Sequence, residues 1–131
     1  MKGKRHTTEQ VATRGLIGSG ERVMIAGLIV KGTSSRTVFA RVAGPSLTAF
    51  GIQNAVANPK LTVYNSSGQV IAANDNWGTS TTSSTLQQWG VAPTNANEPA
   101  LILTLAPGAY TVIADNNGQE GVANIEVYEL R

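Results

Sequence analysis

The sequence predicts an all-β protein, an antiparallel, jelly-roll-like β-sandwich of about eight strands with one long polar loop. Two segments carry this prediction: LTVYNSSGQVIAANDNW at positions 61–77 and LTLAPGAYTVIADNNG at positions 103–118. In each, apolar and polar residues alternate around a turn, and a cluster of Asp and Asn follows, a pattern typical of short antiparallel strands and their loops. Only 14% of the residues are charged, while Gly, Ser, Thr and Asn are abundant, which favours a loop-rich β domain.

The length predicts one domain. A chain of 131 residues buries roughly two-thirds of the surface that its unfolded form exposes, which suffices for a core of its own. Residues 1–14 are interpreted as a basic and polar N-terminal extension, and residues 15–131 as the sandwich domain. The chain has no cysteine, which excludes a disulfide scaffold, a thiolate metal site and a cysteine nucleophile.

The first half of the chain predicts three strands and one helical turn. Val11–Ile17 is a short strand, and the almost wholly apolar RVMIAGLIV at 22–30 is expected to be a central strand covered on both faces. Thr37–Val42 follows a short loop and is expected to form a hairpin with that strand. Ser46 is expected to cap a single helical turn that Gly51 ends.

The second half predicts a hairpin, a long polar excursion and three further strands. Leu61–Tyr64 and Gln69–Ala73 are joined by NSSG, whose Asn and Gly suit a hairpin turn. Residues 78–97 are polar and longer than an ordinary connection, so they are interpreted as a functional loop or a covering flap, with a short helix over Ser84–Trp89. The remaining strands are Ala100–Leu105, Tyr110–Ala114 and Val122–Leu130.

The predicted core consists of the residues on the apolar phase of these strands. They are Val23, Ile25, Val38, Val42, Leu61, Val63, Ile71, Leu103, Val112 and Ile125.

The charge pattern disfavours nucleic acid and membrane as partners. The formal net charge is +2, and the basic residues of MKGKR form a charged tail, not a basic stripe interleaved with aromatics. No stretch approaches the length of a membrane span, and no apolar segment follows the basic residues, so neither a span nor a signal peptide is predicted within the chain.

Several segments resemble a known family. LTVYNSSGQVIAANDNW, LAPGAYTVIAD and the final strand IEVYEL are similar to the bacterial pre-peptidase C-terminal domain, a small β-sandwich appended to secreted proteins. Together with TRGLIGSGERVMIAGLIVKG and RVAGPSLTAFG, nearly the whole chain resembles a module of large secreted bacterial proteins. The resemblance implies an extracellular β-sandwich and transfers no activity, because one fold hosts many functions.

The Asp and Asn clusters are candidate calcium ligands. Asn74, Asp75 and Asn76, together with Asp115 and Asn117, offer the oxygen atoms that calcium requires. The alternative is that these residues occupy turns, where their side chains bond the local backbone. No other cofactor is predicted.

The loop aromatics are candidate carbohydrate ligands. Trp77 and Trp89 bracket the polar excursion, and a sugar ring could stack on either while Asn76 bonds its hydroxyls. The alternative is that both rings belong to the core.

Catalysis has little support in the sequence. His6 is the only histidine and lies in the basic tail, so a Ser-His-Asp arrangement would need that tail to fold back onto the domain. The carboxylate pairs that a hydrolase would use are Asp75 with Asp115 or Asp75 with Glu98, and solvated loop carboxylates are the ordinary case.

The N-terminal segment HTTEQVATR is a candidate for self-association. Its extended, Thr-rich character suits pairing with an exposed strand, with Thr7, Thr8, Val11 and Thr13 as contact residues and Val122–Leu130 as the acceptor. The alternative is a frayed tail. The function predicted is a non-catalytic extracellular structural or adhesive module whose partners are itself or neighbouring domains. Carbohydrate binding is the alternative, and a hydrolase using loop carboxylates comes third.

Overall fold

The computed structural model describes residues 8–17, 23–116 and 120–130, which form eight strands and three short helices. The strands are β1 (Thr8–Ile17), β2 (Met24–Val30), β3 (Arg36–Ala43), β4 (Lys60–Tyr64), β5 (Val70–Asn74), β6 (Ala100–Leu105), β7 (Gly108–Asp115) and β8 (Gly121–Leu130). The helices are two 3₁₀ turns, Pro45–Phe50 and Trp77–Thr79, and the α-helix α1 (Ser83–Gln88).

Two four-stranded antiparallel sheets form a sandwich. One has the order β1-β8-β3-β6 and the other β2-β7-β4-β5. The pairs β4–β5, β2–β7, β3–β6 and β1–β8 are nested around the β4–β5 hairpin. The two sheets confirm the predicted all-β, antiparallel β-sandwich with one long polar connection.

The core lies between the two sheets and is made by the inward residues of the strands. Its fully buried members include Val38, Val42, Leu61, Val112 and Ile125, each at most 1% exposed. These were predicted from strand phase, as was Val63, and Leu103 packs against the same core while partly buried. Val23 is partly buried.

The prediction for β2 was wrong in two respects. Met24, Leu28 and Val30 point into the core, whereas Ile25 and Ile29 are 60% and 62% exposed. Among the residues that the structure describes, the strand pairs only with β7 and is the edge of its sheet, so it is not a central strand. The exposure of Ile25 and Ile29 shows that its outer face is not covered. An unbroken apolar run contains no alternation that would show which residues face the core. Packing against the opposite sheet decides which face is buried.

The expected hairpin between β2 and β3 does not form. The two strands belong to opposite sheets, because β2 pairs with β7 while β3 pairs with β6 and β8. Ile71 was also wrongly placed in the core, since it lies on the outer side of β5 and is 41% exposed. The register of β4 against β5 shifts at Tyr64, so alternation counted along the sequence fails at that point.

Two local predictions were confirmed. The predicted helical turn is the 3₁₀ helix Pro45–Phe50, which ends at Gly51 with φ of 85°, a left-handed conformation that glycine adopts without strain. The cap expected at Ser46 was wrong, because Gly44 is the N-cap and Ser46 lies inside the helix. The β4–β5 hairpin is closed by Asn65, whose side-chain oxygen accepts hydrogen bonds from the backbone N–H groups of Ser67 and Gln69, both at 3.0 Å.

The segment before β4 closes one end of the sandwich. Val56 is 1% exposed, and its N–H donates to the carbonyl of Val122 at 2.8 Å while the N–H of Val122 donates to Asn54 at 2.7 Å. A Cβ on Gly44 would lie 2.5 Å from Val56 Cγ2, and one on Gly121 would lie 2.8 Å from Val56 Cγ1. Only glycine allows this approach at both positions.

Among the residues that the structure describes, no helix is long and apolar enough to cross a membrane.

Candidate functional site

The N-terminal strand lies along the last strand of its own chain. β1 pairs antiparallel with β8 over ten residues, from Thr8 opposite Leu130 to Ile17 opposite Gly121. Of the predicted contact residues, Val11 stands opposite Val127 and Thr13 opposite Ile125, while Thr7 lies outside the described residues. β8 is the strand that the sequence indicated as the acceptor, but the structure pairs it with β1 of the same chain and not of a second subunit. The domain boundary predicted after residue 14 falls inside β1.

The position of β1 matters for assembly. It is the outermost strand of its sheet and, within the described part of the chain, pairs with β8 alone. Its connection to the remainder of the domain runs from Ile17 to Met24, where the chain enters the opposite sheet as β2. β1 can therefore separate from β8 without breaking any other strand pairing of the described chain.

Residues 75–99, which we call the covering segment, lie over the outer face of the β1-β8-β3-β6 sheet. Leu86 of α1 is 0% exposed and packs with Phe39 and Ala100 in a second hydrophobic cluster beside which Ile102 and Tyr128 lie. The 3₁₀ helix and α1 give this segment secondary structure of its own. Of the two interpretations of the polar excursion, the structure supports a covering flap.

The two predicted sugar-stacking tryptophans differ in environment. Trp77 is partly buried against the second cluster, and its backbone N–H donates to the Glu98 carbonyl at 3.0 Å. Trp89, which ends α1, is 44% exposed. Asn76 immediately precedes Trp77 and donates a hydrogen bond to Asp75 at 3.3 Å. Trp89 is therefore the ring of the predicted pair that is open to a ligand.

The predicted calcium ligands lie at one end of the β2-β7-β4-β5 sheet. Asn74 is buried, donating to Thr79 Oγ1 at 3.3 Å and accepting from the Ala100 N–H at 3.1 Å, so both ends of its amide are used within the protein. Asp115 stands opposite Lys60 on the neighbouring strand. Asn117 lies outside the described residues. Within the described ranges, no group of three or more His, Cys, Asp or Glu side chains could hold a metal.

Glu98, which the sequence offered as half of a catalytic pair, holds the backbone of a turn. It is 2% exposed, and its Oε2 accepts hydrogen bonds from the N–H of Gly44 at 2.8 Å, the N–H of Ser46 at 2.9 Å and the hydroxyl of Ser46 at 2.6 Å. These bonds fix the start of the 3₁₀ helix Pro45–Phe50. Asp75 is exposed, and His6 lies outside the described residues.

Sequence reasoning missed a row of cross-strand contacts on the outer face of β3 and β8. Arg41 stands opposite Glu126, and its Nε lies 2.5 Å from Glu126 Oε1. Phe39 stands opposite Tyr128, and their rings stack at 5.6 Å between centroids. The Tyr128 hydroxyl donates to Glu126 Oε2 at 3.2 Å, which joins the two pairs. Phe39 and Arg41 are two residues apart in β3 and so lie on the same face of the strand. Their partners on β8 follow only from the register between β3 and β8.

Burial raises the pKa of the Tyr128 hydroxyl above its ordinary value near 10, and the negative charge of Glu126 raises it further. Arg41 acts in the opposite direction with a smaller effect. The hydroxyl is therefore protonated, and a hydrogen-bond donor, at neutral pH.

These features define the class of protein as an eight-stranded, two-sheet β-sandwich module. The fold is similar to that of the pre-peptidase C-terminal domain of collagenase from Bacillus anthracis, with a TM-score of 0.54, 15% identity, and coverage of 89% of this chain and 87% of that one. The resemblance inferred from the sequence is thus confirmed at the level of the fold.

Two further solved structures show weaker similarity. A pilus protein of Bacillus endospore appendages gives a TM-score of 0.37 at 7% identity, covering 94% of this chain and 86% of that one. An antigen and type I fimbria protein of Burkholderia pseudomallei gives 0.39 at 13% identity, covering 97% and 99%. No family model and no curated protein matches the sequence.

Proposed function

We propose that this protein is a non-catalytic structural or adhesive module that acts outside the cell and joins other copies of itself by exchanging β1. The observation that carries the proposal is the pairing of the N-terminal strand β1 with β8, ten residues long and at the sheet edge. A second copy of β1 makes the same main-chain hydrogen bonds to β8 as the first, since the register depends on the two strand sequences and not on their connection.

The exchange needs no new interface. The free energy of the β1–β8 ladder is the same within one chain and between two chains. The equilibrium between the monomer and the strand-exchanged assembly is therefore set by chain concentration and by the short connection of residues 18–23. Two copies that exchange strands reciprocally form a closed dimer. Copies that pass β1 in one direction form an open filament.

The chemistry of the described side chains supports a non-catalytic role. Two glutamates have structural partners: Glu98 of the covering segment binds the backbone at Gly44 and Ser46, and Glu126 of β8 pairs with Arg41. The chain has no cysteine, and its one histidine is His6. The Ser46 hydroxyl donates to Glu98, but the same carboxylate oxygen also accepts from the backbone N–H groups of Gly44 and Ser46, which supports a structural role for this pair.

Engineered cysteines test the exchange, because the natural chain has none to interfere. Arg14 stands opposite Asn124 in the β1–β8 register, at a separation that suits a disulfide. Arg14→Cys and Asn124→Cys are placed in separate chains, and the two proteins are mixed at high concentration under mild oxidation. We expect a disulfide-linked heterodimer on non-reducing gels, with a yield that rises with concentration.

The matched control replaces Arg14→Cys by Ala12→Cys, which stands opposite Glu126 and is out of register with position 124. Strand exchange predicts little cross-linking for that mixture. If both mixtures cross-link equally, random encounters between chains, and not strand exchange, explain the product. If neither does so, and the natural chain stays monomeric by light scattering at millimolar concentration, β1 remains in its own domain and the assembly proposal is wrong.

Carbohydrate binding is the second candidate function. The observation that favours it is the exposure of two aromatic rings, Phe50 at 80% and Trp89 at 44%, since an exposed aromatic ring offers an apolar face on which a sugar stacks. The glycan affinity of Trp89→Ala relative to the natural chain decides whether this ring takes part.

A further inference from the structure

A groove runs along the outer face of the β1-β8-β3-β6 sheet, beside the covering segment. Its floor is formed by Arg41 of β3 with Asn124 and Glu126 of β8. One wall is the 3₁₀ helix Pro45–Phe50, and the other includes Thr94 of the covering segment. The cavity has a volume of about 570 Å³, which lies within the range of small-molecule sites, roughly 300–1,000 Å³.

The wall that carries Phe50 is rigidly attached. Glu98 accepts three hydrogen bonds from Gly44 and Ser46 at its start, and Leu47 anchors it with a side chain that is 5% exposed. Phe50, at its end, is 80% exposed. A buried carboxylate therefore holds a turn whose largest side chain faces solvent, which is the arrangement expected of a preorganised contact residue.

The floor is polar but carries no free charge. Arg41 Nε is paired with Glu126 at 2.5 Å, and Arg41 also lies over the Phe39 ring at 5.8 Å. An anionic ligand would meet the negative charge of Glu126 beside the guanidinium, so the pair does not select for anions. The donors of Arg41, the acceptors of Glu126 and the amide of Asn124 instead suit groups that both donate and accept, as hydroxyls do.

We propose that this groove binds a neutral saccharide, with the apolar face of one sugar ring on Phe50 and its hydroxyls on Arg41, Glu126 and Asn124. A pyranose has an apolar face of C–H groups, which stacks on an exposed aromatic ring. Its hydroxyl groups project from the edge of the ring, where planar polar side chains can bond to them. This inference gives the second candidate function a site that does not include Trp89, and it does not depend on strand exchange.

The test is binding of the full chain to an array of plant, fungal and bacterial glycans, followed by calorimetry with the best soluble oligosaccharide. Phe50→Ala is the central variant, because a side chain that is 80% exposed can be removed without disturbing the core. We expect its dissociation constant to rise about tenfold or more. Arg41→Lys, which keeps the charge but loses the planar fork, should weaken binding by roughly fivefold.

Trp89→Ala is the matched control, because it removes the other exposed aromatic ring, which lies on the covering segment and is not part of the groove lining. We expect its affinity to stay within about twofold of the natural chain if the groove is the site. Circular dichroism and thermal melting of each variant establish that the fold is retained.

Three outcomes would overturn the assignment. Binding that Trp89→Ala abolishes and Phe50→Ala leaves unchanged would place the saccharide on Trp89. Absence of binding to every glycan on the array would remove saccharides as the ligand class. Selective binding of a peptide from a parallel peptide array, with loss in Phe50→Ala, would assign the groove to a protein partner.

Discussion

Glu98 illustrates how one buried carboxylate positions a distant turn. It lies near the end of the covering segment but binds the backbone of Gly44 and Ser46, 54 and 52 positions away. Charge-assisted hydrogen bonds of this kind are stronger than neutral ones, and buried donors without a partner are costly. The residue that resembled half of a catalytic pair in the sequence is therefore part of the framework that presents Phe50.

Tyr128 gives a prediction about alkaline pH. Its folded-state pKa is raised above the ordinary value near 10, so above that pH the folded chain keeps a proton that the unfolded chain releases. The stabilisation is fully present below pH 10 and is lost as pH rises through the folded-state pKa. We expect Tyr128→Phe to lose less free energy of unfolding than the natural chain between pH 9 and pH 11, as measured by urea denaturation.

The ultraviolet titration of tyrosinate provides the control. A component that ionises above the ordinary tyrosine range near pH 10 should be present in the natural chain and missing from Tyr128→Phe. A titration in which the substitution removes the component ionising first would contradict the assignment.

At the scale of elements, β2 presents two faces of nearly equal hydrophobicity. Ile25 and Ile29 on its outer side are exposed, while Met24, Leu28 and Val30 on its inner side are buried. The register of β2 against β7 is continuous over seven residues, so a one-residue slip would reverse both faces. The burial of one side, and not the composition of the strand, fixes this register.

A pair of isoleucine substitutions tests the assignment of faces. Ile125→Ala, at a side chain that is 0% exposed, should lower the free energy of unfolding by about 2–5 kcal/mol through lost burial and a residual cavity. Ile25→Ala, at a side chain that is 60% exposed, should cost less than about 1 kcal/mol. Chemical denaturation measures both values, and a larger loss for Ile25→Ala would show that β2 packs with the opposite phase.

At the scale of the whole molecule, the nested pairing makes β1 the outermost strand of its sheet and leaves β8 between β1 and β3. Removing β1 would expose the edge of a ten-residue strand, and a long unpaired edge is a template for pairing with another chain. The structure therefore links the stability of the single domain to the proposed assembly through one strand.

Deletion of residues 1–17 tests this link. We expect a lower melting temperature, because β8 loses its partner, with each 1 kcal/mol of lost stability lowering it by roughly 2–8 °C. A synthetic peptide of residues 8–17, TEQVATRGLI, should bind the truncated chain and raise its melting temperature towards the natural value.

A peptide of the same composition in scrambled order is the control, since it lacks the side-chain register of β1. An unchanged melting temperature on deletion, with no effect of either peptide, would mean that β1 contributes nothing to the domain. The strand-exchange proposal would then have no acceptor site.

The sequence by itself determined the class of fold and most of its strands. Alternation places Val38 and Val42 on one side and Phe39 on the other, and the Asn65 turn fixes the β4–β5 hairpin, because both are properties of residues close in the chain. The N-terminal segment was expected to pair with the last strand of another copy, and only the tertiary structure shows that it pairs with the last strand of its own chain.

The tertiary structure alone decided which strands share a sheet, which face of β2 is buried and where the groove lies. β2 and β3 follow each other in the chain but enter opposite sheets. The contacts of Glu98 with Ser46, and of Arg41 with Glu126, join residues 52 and 85 positions apart. Such contacts leave no periodic signal in the sequence, because they depend on how strands distant in the chain are brought together by packing.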